Sequence, residues 1–170
     1  MNFRSAFKPH LRPFLPILLG FAAFWLITGG KILRPTYTDW LMEGDPATHW
    51  LGWQFFRHSP LFQWPIGANP NYGMDIGSSI VFTDSIPLLA FIFKPLNVFL
   101  PDTVQYIGLW VLICFSLQSY FGWKLLTLFT HDEWLPLIGS VFFTLAPACL
   151  WRLHGHYALF GQWVLLAALY

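Results

Sequence analysis

The sequence predicts an all-α integral membrane protein: the N-terminal fragment of a polytopic helical bundle, with a long first exoplasmic loop carrying interfacial helices. Three observations lead there. Apolar residues make up 56% of the chain and charged residues 10%, against about 25% charged in an ordinary globular domain. Several apolar runs approach the ~20 helical residues that cross a hydrocarbon core of roughly 30 Å. The charges gather between those runs. A soluble domain so poor in charge would expose large apolar patches.

The first predicted span is 14–33. Pro13 to Gly30 carries no charge, and Lys31-Ile32-Leu33 extends the apolar stretch. Arg4, Lys8 and Arg12 precede it with no acid among them, which keeps the N-terminus cytoplasmic. A cleaved signal peptide is the alternative, but its apolar core would be shorter and Thr28-Gly29-Gly30 is a poor cleavage site. The second span is 103–128, built on the 21 uncharged residues Thr103 to Trp123 and closed by Lys124 and a short apolar tail. The third is 134–151, uncharged but interrupted by Pro136 and Pro147. Trp123, Trp134 and Trp151 suit interfaces, where an apolar ring meets water through a polar N–H. THDEW between these two spans makes them a helical hairpin. A last run, 157–170, is too short to span and has no polar flank, so the chain is expected to be part of a larger protein.

The segment 86–100, IPLLAFIFKPLNVFL, decides the sidedness. Fifteen helical residues reach about 22 Å, Lys94 sits near the middle at a cost of roughly 2.5–3.5 kcal/mol, and Pro95 removes a backbone donor. These favour an interfacial or re-entrant helix. Residues 35–102 then form one exoplasmic loop, and Arg152-Leu153-His154-Gly155-His156 returns to the same side. If 86–100 crosses, the two polar clusters lie on opposite faces.

Pro35 to Asp84 holds five of the eight acids and a single base, Arg57. Within it, MEGDPATHW has the grammar of a helix start, Asp45 as N-cap and Pro46 at the first helical position. Asp45 and His49, four apart, would project near each other. The run ATHWLGWQFFR has no exact period, and its aromatics suit a helix resting on the interface. WPIGANPNYGMDIGSS reads as turns.

Each candidate has a plainer reading. Asp45 is either a cap alone or a cap with chemistry; His49 is an interfacial histidine or a ligand; Glu43 is solvated or catalytic. Lys94 either snorkels to the headgroups or holds a lipid phosphate as a point charge. His154 and His156 could share a divalent metal only on a loop or strand, and no third ligand lies nearby. No metal site is therefore assigned. The net charge of +1 argues against nucleic acid. No phosphate-loop or dinucleotide fingerprint is present. Cys114 and Cys149 lie in apolar runs and read as buried thiols.

A first span, a long exoplasmic loop with an acidic motif and interfacial helices, then a hairpin of spans resembles the GT-C membrane glycosyltransferases. GDPATHWLGWQFF looks like the first-loop motif of bacterial members, and FTDSIPLLAFIFKPL and RLHGHYALFGQW resemble an uncharacterised bacterial subgroup. The similarity covers nearly the whole chain, through short motifs. It implies a bacterial inner-membrane enzyme that moves a sugar from a polyprenyl-phosphate donor to an exoplasmic acceptor. Asp45 would be the first-loop carboxylate that, in the family, is the catalytic base or orients the acceptor. Gly44 separates it from Glu43 where the family often has an Asp-Glu pair, so either acid can be the match. In the second exoplasmic loop, where such enzymes often place an acid, this chain offers Arg152, His154 and His156.

Such a transfer needs a carboxylate to take the acceptor's proton and a cation to steady the departing phosphate. Arg152 or Lys94 suits the second role, with His49, His154 and His156 as further substrate contacts. The alternatives are a transporter or flippase-like protein, and a non-catalytic membrane assembly protein. The uncharged spans count against the first of these.

Overall fold

Proline and glycine set most of the helix ends. The computed structural model describes residues 12–170; Arg4 and Lys8, on which the predicted orientation partly rests, lie outside them. Helix α1 (Phe14–Thr28) stops where Gly29, at φ 64°, turns left-handed and donates its N–H to the Trp25 carbonyl, the ending glycine permits. Lys31–Leu33 forms a separate 3-10 turn. After it come α2 (Asp45–His58), a short antiparallel ladder of β1 (Ala68–Asn69) and β2 (Ser78–Ser79), and α3 (Pro87–Phe93), which runs into a 3-10 turn over Lys94–Phe99. Helices α4 (Ile107–Leu126), α5 (Leu135–Thr144), α6 (Pro147–Arg152) and α7 (Trp163–Leu169) complete the chain.

The described residues are mostly helical. Two stretches, Ile107–Leu126 and Leu135–Arg152, are long and apolar enough to cross a membrane, and fewer than half of the residues in either are buried. The predicted run 14–33 is helical only to Thr28, and 157–170 only over α7. The run 134–151 is divided into α5 and α6, because Pro147 has no N–H for the Phe143 carbonyl.

The chain forms two compact units. One comprises the described residues to Gly30, Val111–Arg152 and Phe160–Tyr170. Its helices meet through small residues. A side chain at Gly20 would strike the backbone of Phe115 and Ser116, one at Gly122 would strike Phe143, and the Ser119 and Ser140 hydroxyls are 3.3 Å apart. Such residues let apolar helices approach closely. In the THDEW turn, Asp132 Oδ1 accepts the N–H groups of Trp134 and Leu135, each at 2.7 Å, and so caps α5.

The other unit comprises Lys31–Trp110 and Leu153–Leu159. Its axis is α2, whose buried residues are His49, Gly52, Trp53, Phe56 and Arg57. That is a helical stripe with an exact period, where the sequence reading found none. Trp53 and Phe56, read as interfacial, are core residues. The Trp53 indole donates to the Val104 carbonyl at 3.1 Å. Arg57 binds the Asn97 amide oxygen and the carbonyls of Pro101 and Asp102, so the loop's single base is a structural clamp. Lys94 is also buried: its ammonium donates to Ser59 Oγ at 2.8 Å and lies 3.9 Å from the centre of the Phe56 ring, and burial lowers its pKa.

The turn 83–86 seats directly on α2 at Gly52. Asp84 and Ile86 there have φ of 51° and 50°, an outlier for a β-branched residue that costs of order 1–3 kcal/mol. The Ser85 hydroxyl donates to the His49 carbonyl at 2.6 Å, and the Tyr106 hydroxyl donates to the Ser85 carbonyl. A methyl group at position 52 would overlap the Thr83 and Ser85 side chains. Gly52→Ala is therefore expected to destabilise this unit by about 1–3 kcal/mol, read as a lower melting temperature in detergent. An unchanged melting temperature would mean the turn is not held against α2.

Candidate functional site

The Asp-Pro step predicts Asp45 as an N-cap. The structure differs: α2 begins at Asp45 itself, Gly44 is the N-cap at φ 64°, and no side chain caps the first turn. Gly44 turns the chain into the helix one residue early, which leaves the Asp45 carboxylate uncommitted to the backbone. It sits in the first turn, where the helix dipole favours a negative charge. Its side chain is 69% exposed, and Oδ2 lies 4.0 Å from Nε2 of His156.

His156 is brought there by the return segment Leu153–Leu159, which belongs to the same unit. Gly155, at φ 139°, lays its backbone over Asp45 and Pro46, where a Cβ would lie 3.5 Å from Asp45 Cβ. Tyr157 is buried and wedges edge-on between the rings of Trp40 and His49, at 5.3 and 5.4 Å. The Trp110 indole donates to its carbonyl at 2.7 Å.

Beneath this pair lies His49, 1% exposed. Its Nδ1 is 2.9 Å from the Asp84 carbonyl; a carbonyl only accepts, so Nδ1 carries the proton. Burial lowers the His49 pKa; the carbonyls of Asp84 and Gly155 and the charges of Asp84 and Asp45 pull it back up, without overcoming burial. His49 is thus a neutral bridge from α2 to the 83–86 turn.

The other predicted residues fall as follows. Glu43 is exposed, two residues before Asp45. His154 is exposed in the return segment. Lys94 is turned inward onto Ser59, so it neither snorkels nor presents its charge to a phosphate. Arg152 closes α6 and belongs to the first unit. Among the described residues no three His, Cys, Asp or Glu side chains are grouped to hold a metal ion. Tyr157, Gly155 and Trp40 were missed as positioning residues, although RLHGHY and FTDSIP contain the segments that build the site.

A family model matches residues 17–170, described as a domain of unknown function, DUF6311. The chain belongs to the DUF6311 family. No curated protein and no solved structure matches this DUF6311 chain.

The depressed pKa of His49 makes stability pH-dependent. At pH well above 6.5, the ordinary histidine value, both folded and unfolded states hold a neutral imidazole and the group contributes nothing. Below 6.5 the unfolded chain takes up a proton that the folded state resists, so stability falls as pH drops toward the folded pKa. The melting temperature is expected to decline from about pH 6.5 downward, and His49→Gln to show a shallower decline. Parallel profiles for the two proteins would place the acid sensitivity elsewhere.

Proposed function

We propose that this protein is an integral membrane glycosyltransferase of the GT-C type, transferring a sugar from a polyprenyl-phosphate donor to an exoplasmic acceptor. One observation carries the reading: an exposed carboxylate, Asp45, freed from capping and set 4.0 Å from the imidazole of His156. Asp45 takes the acceptor's proton. The nucleophile displaces the lipid phosphate from the anomeric carbon, and His156 meets the departing phosphate, protonated or as an N–H donor. His154 is a second donor on the same segment, and Glu43 a second carboxylate beside Asp45. The apolar stretches Ile107–Leu126 and Leu135–Arg152 support placing this chemistry at a bilayer surface, where a lipid-linked sugar meets water.

That the loop 35–102 and His154/His156 share a side of the membrane is supported by their membership in one compact unit. With Cys114 and Cys149 replaced, single cysteines at the exposed positions Asn71 and His154 should both label in intact cells with an impermeant thiol reagent. Labelling at 71 alone would mean that 86–100 crosses, and would remove the shared site.

Asp45→Asn is expected to abolish the glycan product at unchanged protein level, a loss of at least about 100-fold for a positioned base. Normal product would instead favour a non-catalytic assembly role. Altered uptake or efflux without a glycan change would favour a transporter.

A further inference from the structure

Far along the sequence from Asp45, the first unit holds a polar cluster at the break between α5 and α6. Pro147 leaves the Phe143 carbonyl without its helical donor. The amide of Gln118, on α4, takes that place, with Nε2 3.3 Å from the carbonyl. The same nitrogen lies 3.5 Å from Cys149 Sγ, and that thiol donates to Gln162 Oε1 at 3.0 Å. Both amide hydrogens of Gln118 are thereby engaged. Its oxygen is not: Oε1 is buried with no hydrogen-bond partner, in a residue only 6% exposed. An unanswered buried acceptor costs about 1–3 kcal/mol and calls for an explanation.

Beside it is a cavity of about 480 Å³, lined by Gln118, Cys149 and Gln162 and otherwise by apolar side chains, among them Phe143, Leu165 and Leu166. That volume falls in the range of ligand sites, roughly 300–1,000 Å³. Broken helices and polar side chains at bilayer depth are tolerated where they line such a cavity. No Lys, Arg or His is among the lining residues, so an anionic headgroup would find no counter-charge. The chemistry called for is a neutral molecule, apolar over most of its length, with one hydrogen-bond donor.

We propose that this cavity binds a neutral lipid carrying a free hydroxyl, which donates to Gln118 Oε1 while its chain lies against Phe143, Leu165 and Leu166. The inference rests on the membrane reading of α4, α5 and α6, and is independent of glycosyl transfer at Asp45.

The test uses the whole chain in lipid nanodiscs, labelled with a diazirine-bearing long-chain primary alcohol. Competitors are dodecanol, its methyl ether, which has lost the donor, and dodecyl phosphate. Cross-links are expected on 142–146 and 165–169. Dodecanol should compete roughly three- to tenfold better than the ether, the range one neutral hydrogen bond supplies, and the phosphate should compete worst. Gln118→Leu should erase the difference between alcohol and ether, and Leu166→Trp should reduce labelling by filling the cavity. Because the alcohol–ether comparison is made on the unaltered protein, it stands even if Gln118→Leu fails to fold. Equal competition by alcohol and ether, or cross-links spread over the lipid-facing surface, would overturn the proposal. A chain that washes off membranes in alkaline carbonate would remove the membrane reading, and the inference with it.

Discussion

The close approach of the 83–86 turn to α2 at Gly52 is the constraint on which the second unit depends. Ile86 in that turn holds left-handed backbone that its β-branched side chain disfavours, so the turn persists only while it is held from outside. The hold is made of hydrogen bonds to α2: the Ser85 hydroxyl on the His49 carbonyl and the His49 ring on the Asp84 carbonyl. Each needs the turn within a hydrogen bond's length of the helix, and only glycine at 52 leaves that space. The same helix carries Arg57, which gathers the carbonyls at Pro101 and Asp102, and Asn69 donates back to the Gly52 carbonyl at 2.9 Å. One helix thus organises the ladder, the strained turn and the approach to α4.

That scaffold explains how the pair of Asp45 and His156 acquires a fixed geometry. Asp45 is exposed and His156 half-buried, and two such side chains alone would gain little from each other. Their backbones are held instead. Gly44 sets the start of the helix, Gly155 lies on Asp45, and Tyr157 is clamped between Trp40 and His49. Histidine at 49 suits this place because a neutral imidazole can be buried at modest cost while still donating to a carbonyl. The two histidines do different work: buried His49 positions the 83–86 turn, and His156, from the return segment, lies beside the Asp45 carboxylate.

In the first unit the governing fact is a missing N–H. Pro147 opens the hydrogen-bond ladder of what would otherwise be one apolar helix, and the freed carbonyl is answered by an amide from α4. Gln118 can answer with its nitrogen only, which leaves an oxygen over. Glycine at 20 and 122 and serine at 119 and 140 let the helices of this unit approach closely.

The sequence by itself determined the composition class, the mostly helical content, the two long apolar stretches and the break at Pro147, because these follow from local properties: hydropathy over a window, and the presence or absence of an N–H. It also located the segments that build the site, MEGDPATHW and RLHGHY. It did not reveal the period of α2, because three of its five buried positions are His49, Gly52 and Arg57, types that a hydrophobic pattern scores as surface or neutral. Nor did it reveal that Lys94 turns inward, since Ser59 and the Phe56 ring lie more than thirty residues away. The cap assignment failed by one residue, because Gly44 can take a backbone conformation that no side-chain pattern announces. Tertiary structure decided those points, since each depends on which distant carbonyl, hydroxyl or ring is there to meet a polar group once it leaves water.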